Sequence, residues 1–136
     1  MRKLSLGDTI PQSAEAAWAV IGDFSGMKKW APIVESESTE DTPQGKVRTL
    51  VLGGRTVKEL LVDHGPHHYT YSLDRPDMKV YRSTVSVSPG ADGEAMIVLT
   101  VEFDPVDGVE MTASTEGFMK FLGGNLKAMK RAVAAG

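Results

Sequence analysis

The strongest constraint on how this chain can fold is a change of period along it. Between Ile33 and Asp104 apolar and polar residues alternate in six segments, 33–40, 46–52, 55–63, 67–74, 79–88 and 95–104. The breaks between them are short and rich in Gly, Pro and Asp: Thr42-Pro43-Gln44-Gly45, Gly53-Gly54, His64-Gly65-Pro66, Arg75-Pro76-Asp77 and Pro89-Gly90-Ala91-Asp92-Gly93. Period-2 runs with such breaks are strands, and links this short leave no room for the crossovers that parallel neighbours need, so the strands are antiparallel. From Thr112 to Ala134 the period becomes helical. Phe118, Leu122, Leu126, Met129 and Val133 recur at three- or four-residue steps, with Lys120, Lys127, Lys130 and Arg131 between them. That is an amphipathic helix about 30–35 Å long.

The first thirty residues supply the remaining elements. Residues 2–10 alternate around Leu4, Leu6 and Ile10 and stop at Pro11, which predicts a seventh strand. Ser13 can cap a short helix carrying Trp18, Val20 and Ile21 and ending at Gly22; 23–30 then reads as one or two more helical turns before Pro32. The order expected is strand, two short helices, six strands and one long helix, an α+β domain over 1–136. A single antiparallel sheet must cover its apolar face, and only the last helix is long enough, so the sheet should curl around it.

Charge and composition remove several function classes. Fifteen Lys+Arg against eighteen Asp+Glu give a net charge of −3 with the basic residues scattered, which argues against nucleic acid. There is no cysteine, which excludes disulfides, thiolate metal sites and thiol chemistry. The amino terminus lacks a continuous apolar stretch, and nothing approaches the ~20 apolar residues of a membrane span, so a cytoplasmic protein without a membrane span is expected. No Gly-x-Ser-x-Gly elbow, phosphate loop or dinucleotide fingerprint is present. His64, His67 and His68 cluster around Gly65-Pro66, but adjacent His67 and His68 on a strand point to opposite faces; solvated turn histidines are expected, with no metal and no cofactor. Glu35, Glu37 and Glu40-Asp41 read as a solvated strand edge.

Register supplies the chemistry. If Gly53-Gly54 is a two-residue hairpin loop, Leu52 faces Arg55, Leu50 faces Val57, and Arg48 lies opposite Glu59. Arg48, Leu50 and Leu52 share the more apolar face, so an Arg–Glu pair is expected among residues looking toward the helix. Two readings stand side by side: a pair inside a cavity, where it orients a polar ligand group, or a rim-exposed pair worth a few tenths of a kcal/mol. The same parity puts Tyr69, Tyr71 and Leu73 on one face, Tyr81, Ser83, Val85 and Val87 on another, and Ile97, Leu99, Val101 and Phe103 on a third. Gly117 and Gly123-Gly124 interrupt the long helix, either leaving space for a ligand or marking a kink.

The runs Pro11 to Trp18, Ile21-Gly22-Asp23-Phe24, Trp30-Ala31-Pro32, Gly45-Lys46-Val47-Arg48, Glu59-Leu60-Leu61, Tyr69-Thr70-Tyr71-Ser72-Leu73, Tyr81-Arg82-Ser83 and Val101-Glu102-Phe103-Asp104-Pro105, in this order, resemble the SRPBCC (START/birch-pollen-allergen-like) superfamily. The likeness is greatest to its single-domain polyketide cyclase/dehydrase-like group. It implies a helix-grip fold with a deep, mostly apolar cavity between a seven-stranded sheet and the carboxy-terminal helix, taking a lipid, steroid, hormone or polyketide. It implies further that Glu59, Tyr71, Tyr81, Ser83, Leu99, Phe121 and Asn125 occupy pocket-lining places, with Arg48, Leu50 and Trp30 near them; Tyr69, Phe118 and Leu122 complete the candidate ligand-binding set. Relative to the abscisic acid receptors in that superfamily, Ala31 stands where their anchoring lysine does, the Gly53-Gly54 turn replaces their gate loop, and no latch histidine lies near Met78-Lys79. These departures argue against hormone reception by that route.

Two functions fit: a binding or carrier protein for a small hydrophobic ligand, acting as monomer or homodimer, or a cyclase, dehydratase or isomerase. In the second, Glu59 is general acid/base, Tyr81 polarises a carbonyl and Arg48 holds the carboxylate in place.

Overall fold

The alternation after Ile33 becomes one curled sheet. In a computed structural model describing residues 1–136, the strands are β1 (Arg2–Ile10), β2 (Val34–Thr42), β3 (Gly45–Leu52), β4 (Arg55–Gly65), β5 (His68–Ser72), β6 (Met78–Pro89) and β7 (Ala95–Pro105). They form a seven-stranded antiparallel sheet in the order β1-β7-β6-β5-β4-β3-β2, a meander with β1 brought back against β7. The expected α+β helix-grip arrangement is the one observed. Bulges between Val34 and Ser36, Leu61 and Asp63, and Met78 and Val80 bend three of the ladders, and a bulged strand twists more strongly, which lets the sheet curl. The helices are α1 (Ala14–Ile21) and α2 (Met111–Ala135). No helix is long and apolar enough to cross a membrane.

Gly53 and Gly54 sit at φ +56° and +79°, the left-handed region that a primed two-residue hairpin turn needs at both positions. This turn sets the β3–β4 register, and Leu52 pairs with Arg55, Leu50 with Val57 and Arg48 with Glu59, as expected.

Local chemistry places the short helices. Ser13 caps α1 by accepting from the Ala16 N–H at 3.1 Å, and Gly22 ends it. Only glycine fits there, because a Cβ would stand 2.3 Å from the Trp18 ring. A 3-10 turn, Phe24–Lys29, follows with Asp23 accepting from Ser25 N–H at 2.9 Å. Glu37 of β2, expected to be merely solvated, reaches back to this turn and accepts from the N–H groups of Met27 and Lys28, both at 3.0 Å. The strand edge thereby holds the turn that carries Phe24 and Trp30 inward.

The inward stripe of α2 is the one its period predicts: Phe118, Leu122, Leu126, Met129 and Val133 are buried against the sheet. At ~1.5–3 kcal/mol for each large apolar side chain, this stripe contributes on the order of 10 kcal/mol. Gly117 and Gly124 face outward with nothing within 4 Å, so they leave no space for a ligand on the inner side.

Carboxylates fasten both ends of α2. Glu110 caps the start, accepting from Thr112 N–H at 2.9 Å and Ala113 N–H at 2.8 Å, while Lys130 donates to Asp8 on β1. The Ala113 and Thr112 amides hold the Glu110 carboxyl below its usual range, and Lys130 does the same for Asp8. Carboxyls depressed on folding stabilise the native state above their unfolded pKa values, about 4. That contribution is lost as pH falls through the lower folded values. The melting temperature of the wild type is therefore expected to exceed that of Glu110→Gln at pH 7, and the difference should shrink by pH 3 in parallel thermal melts. A difference that does not change with pH would refute this linkage.

Candidate functional site

Arg48 and Glu59 meet in the interior rather than at the rim, with only 1% and 4% of their surfaces exposed. Arg48 donates through Nε and Nη2 to Oε1 of Glu59, at 2.8 and 2.5 Å, and through Nη1 to the carbonyl of Phe24 at 2.9 Å. Three aromatic rings surround the guanidinium: its Cζ lies 4.3 Å from the Phe24 centroid, 5.2 Å from Tyr71 and 5.8 Å from Tyr69. The ring faces and three charge-assisted or carbonyl hydrogen bonds compensate a cation that would otherwise be costly to bury.

Both Arg48 bonds to Glu59 end on Oε1, so Oε2 accepts nothing from the protein. Burial raises the Glu59 carboxyl above its usual range, with Arg48 pulling the other way. Burial likewise raises the phenols of Tyr69 and Tyr71, and pushes Tyr81 up to about 12, so all three hydroxyls are neutral donors near pH 7.

Phe24 and the tyrosines alter the expected cavity. The continuous chamber predicted between sheet and helix is divided into two unequal spaces. The outer one is a cleft of about 720 Å³ with Glu59, Tyr71, Tyr81 and Phe121 in its wall, together with Leu52, Val57, Leu73 and the charged Arg55, Lys58, Asp74, Arg75 and Asp77. The inner one is a void of about 10 Å³ whose wall includes Trp30, Arg48, Tyr69, Tyr71, Ser83, Leu99, Leu122 and Asn125. This is about the space of one water.

The inner part is filled because Phe24, delivered by the 3-10 turn, packs edge-on to Tyr69 at 5.6 Å and lies 6.5 Å from Tyr71, closing over the guanidinium. Tyr71 alone belongs to both walls and is the partition between them. Of the other candidates, Leu50 and Phe118 line neither space. Leu50 is fully buried on β3, and Phe118 packs against Phe103 at 4.8 Å and Tyr81 at 5.4 Å.

Sequence reasoning missed Arg75. Its Nε and Nη2 donate to Asp77 at 2.9 and 3.0 Å, while Cζ lies 5.4 Å from the Tyr81 ring and 5.2 Å from Phe118. The group stacks at the cleft although its segment, Arg75-Pro76-Asp77, has the composition of an ordinary solvated turn; only the Arg/Asp spacing hinted at a local pair. The histidines stay at the β4–β5 turn. His64 is exposed, His68 Nε2 lies 3.1 Å from Asp63 Oδ2, and His67 is half-buried, edge-on to Trp18 at 6.2 Å, so the three are not all solvated.

Comparison with known proteins bears on the family and the fold. Residues 1–134 match the family described as polyketide cyclase/dehydrase and lipid transport. No curated protein matches the sequence. Among solved structures, protein XoxI from Bacillus cereus is 28% identical with a TM-score of 0.84, the alignment covering 98% of this chain and 96% of that one. A START superfamily protein from Mycobacterium smegmatis is 13% identical with a TM-score of 0.79 over 98% and 97% of the two chains. Ara h 8.0201 is 19% identical with a TM-score of 0.72 over 99% of each. The last two speak for the fold alone. By sequence match over residues 1–134, nearly its full length, the chain belongs to the polyketide cyclase/dehydrase and lipid transport family.

Proposed function

We propose that this chain, acting over 1–136 as one unit, binds a small hydrophobic or amphipathic molecule of lipid, steroid or polyketide-like character between sheet and α2. The observation that carries the reading is the cleft of about 720 Å³, where Leu52, Val57, Leu73, Tyr71, Tyr81 and Phe121 adjoin the buried carboxylate of Glu59 and a charged rim that includes Arg55, Lys58, Asp74, Arg75 and Asp77. Ligand sites commonly fall in the range of about 300–1,000 Å³ and combine apolar wall with polar groups that fix orientation; here the apolar part gives affinity and the many charged groups favour an amphipathic ligand. Covering ~300 Å² of apolar ligand surface is worth roughly 7 kcal/mol before the costs of association.

Phe121 tests the reading with little risk to the fold, since 40% of its surface is exposed and it stands on the cleft wall. Phe121→Asp is expected to weaken binding of the neutral fluorescent dye Nile red about tenfold or more, measured by titration, while the circular dichroism spectrum is unchanged. Equal binding by both proteins, or by neither, would overturn the proposal.

A second reading rests on a different observation, the raised carboxyl of Glu59 with Oε2 unpartnered by protein and Tyr81 in the same cleft wall. In a cyclase, dehydratase or isomerase, Glu59 exchanges a proton with the substrate, Tyr81 donates to its carbonyl, and Arg48 holds Glu59 from behind. Native mass spectrometry of protein from its own cells identifies the bound molecule. Conversion of that molecule by fresh wild type, abolished in Glu59→Gln with binding retained, supports the enzyme; unchanged recovery supports the carrier.

A further inference from the structure

Two buried donors in the core lack the partners that the other buried polar groups have. The indole Nε1 of Trp30 and the hydroxyl of Tyr69 make no hydrogen bond, although the residues are only 4% and 2% exposed. Buried polar groups are nearly always satisfied, and an unpaired donor carries its full desolvation penalty. Both residues belong to the wall of the same void, of about 10 Å³, behind Tyr71. The two side chains come from distant segments, the residue that caps the 3-10 turn and the second residue of β5, and the fold brings both to this wall.

We propose that this inner space is the seat of a neutral oxygen acceptor on the ligand, a ketone or ester carbonyl, which receives hydrogen bonds from Trp30 Nε1 and the Tyr69 hydroxyl. The inference rests on the binding reading above and specifies its ligand class. The space suits one oxygen-sized group. A hydrocarbon end leaves both donors unpaired. A carboxylate end brings a second anion close to Glu59, whose only cationic partner, Arg48, is already committed to it and to the Phe24 carbonyl. A neutral carbonyl satisfies both donors without adding charge. The apolar remainder of such a ligand lies in the outer cleft, which requires the Tyr71 ring, the partition between the two spaces, to turn aside on binding.

The test compares three probes of one chain length, 2-octanone, octane and octanoate, by calorimetric titration at pH 7. The wild type is expected to bind the ketone at least tenfold more tightly than the other two. Tyr69→Phe and Trp30→Phe should each reduce ketone affinity about 5- to 10-fold and leave octane affinity within about twofold. Equal affinity of the wild type for ketone and octane overturns the carbonyl seat and leaves hydrophobic binding standing. So does a ketone advantage that survives both substitutions, and octanoate binding as tightly as the ketone overturns the preference for a neutral group. Failure of all three probes to bind overturns this proposal and the binding reading together. The comparison within the wild type needs no variant to fold.

Discussion

Arg48→Met is expected to lower the unfolding free energy by about 3–5 kcal/mol, a large share of the ~5–15 kcal/mol typical of a domain. The loss comes mainly from what stays behind. Glu59 remains 4% exposed without its cation, and the Phe24 carbonyl loses its donor. Glu59 must then bind a proton, or draw in water, in a place built around a guanidinium. The double variant Arg48→Met/Glu59→Leu removes both charges and should recover most of the loss, because an apolar pair has no desolvation penalty to offset. Urea unfolding of the wild type, both single variants and the double variant completes the cycle. A double variant no more stable than the worse single one would show that the aromatic enclosure, rather than charge pairing, holds this region.

Tyr71→Ala should have a comparably large effect with two separable consequences. Truncating a buried aromatic side chain costs about 3–5 kcal/mol, and Tyr71 is only 4% exposed. The same change removes the partition and joins the outer cleft of about 720 Å³ to the inner void. Affinity for a rigid ligand that can reach from the outer cleft into the joined space should therefore rise while stability falls. Thermal melts report stability, and titration with a rigid four-ring steroid reports affinity. A destabilised variant with unchanged steroid affinity would mean that Tyr71 is not what limits depth.

Much of the fold was readable because it depends on short-range rules. The Gly53-Gly54 turn sets β3 against β4 residue by residue, and the Arg48–Glu59 pairing follows from counting outward from it. Strand parity likewise placed the three tyrosines inward, and all three are buried. What parity does not contain is depth. The choice between an interior and a rim-exposed ion pair depended on Phe24, twenty-four positions before Arg48, closing over the guanidinium from a 3-10 turn. That turn in turn depends on the Glu37 carboxylate meeting two amides across the edge of the sheet.

Such contacts leave no periodic trace, so a chamber was expected where aromatic rings stand. Arg75 escaped notice for a related reason. Stacking on Tyr81 and Phe118 is a property of the folded neighbourhood, whereas its own segment has only the composition of a turn.

The outermost position of β2 in the sheet has a further consequence for encounters between molecules. A terminal strand offers unpaired amides and carbonyls to any similar strand, the first step of templated fibre growth. Here that ribbon carries Glu35, Glu37, Glu40 and Asp41 within nine residues. Two chains meeting side by side along it would bring these carboxylates together, so mutual repulsion guards the exposed margin where hydrogen bonding alone would invite stacking.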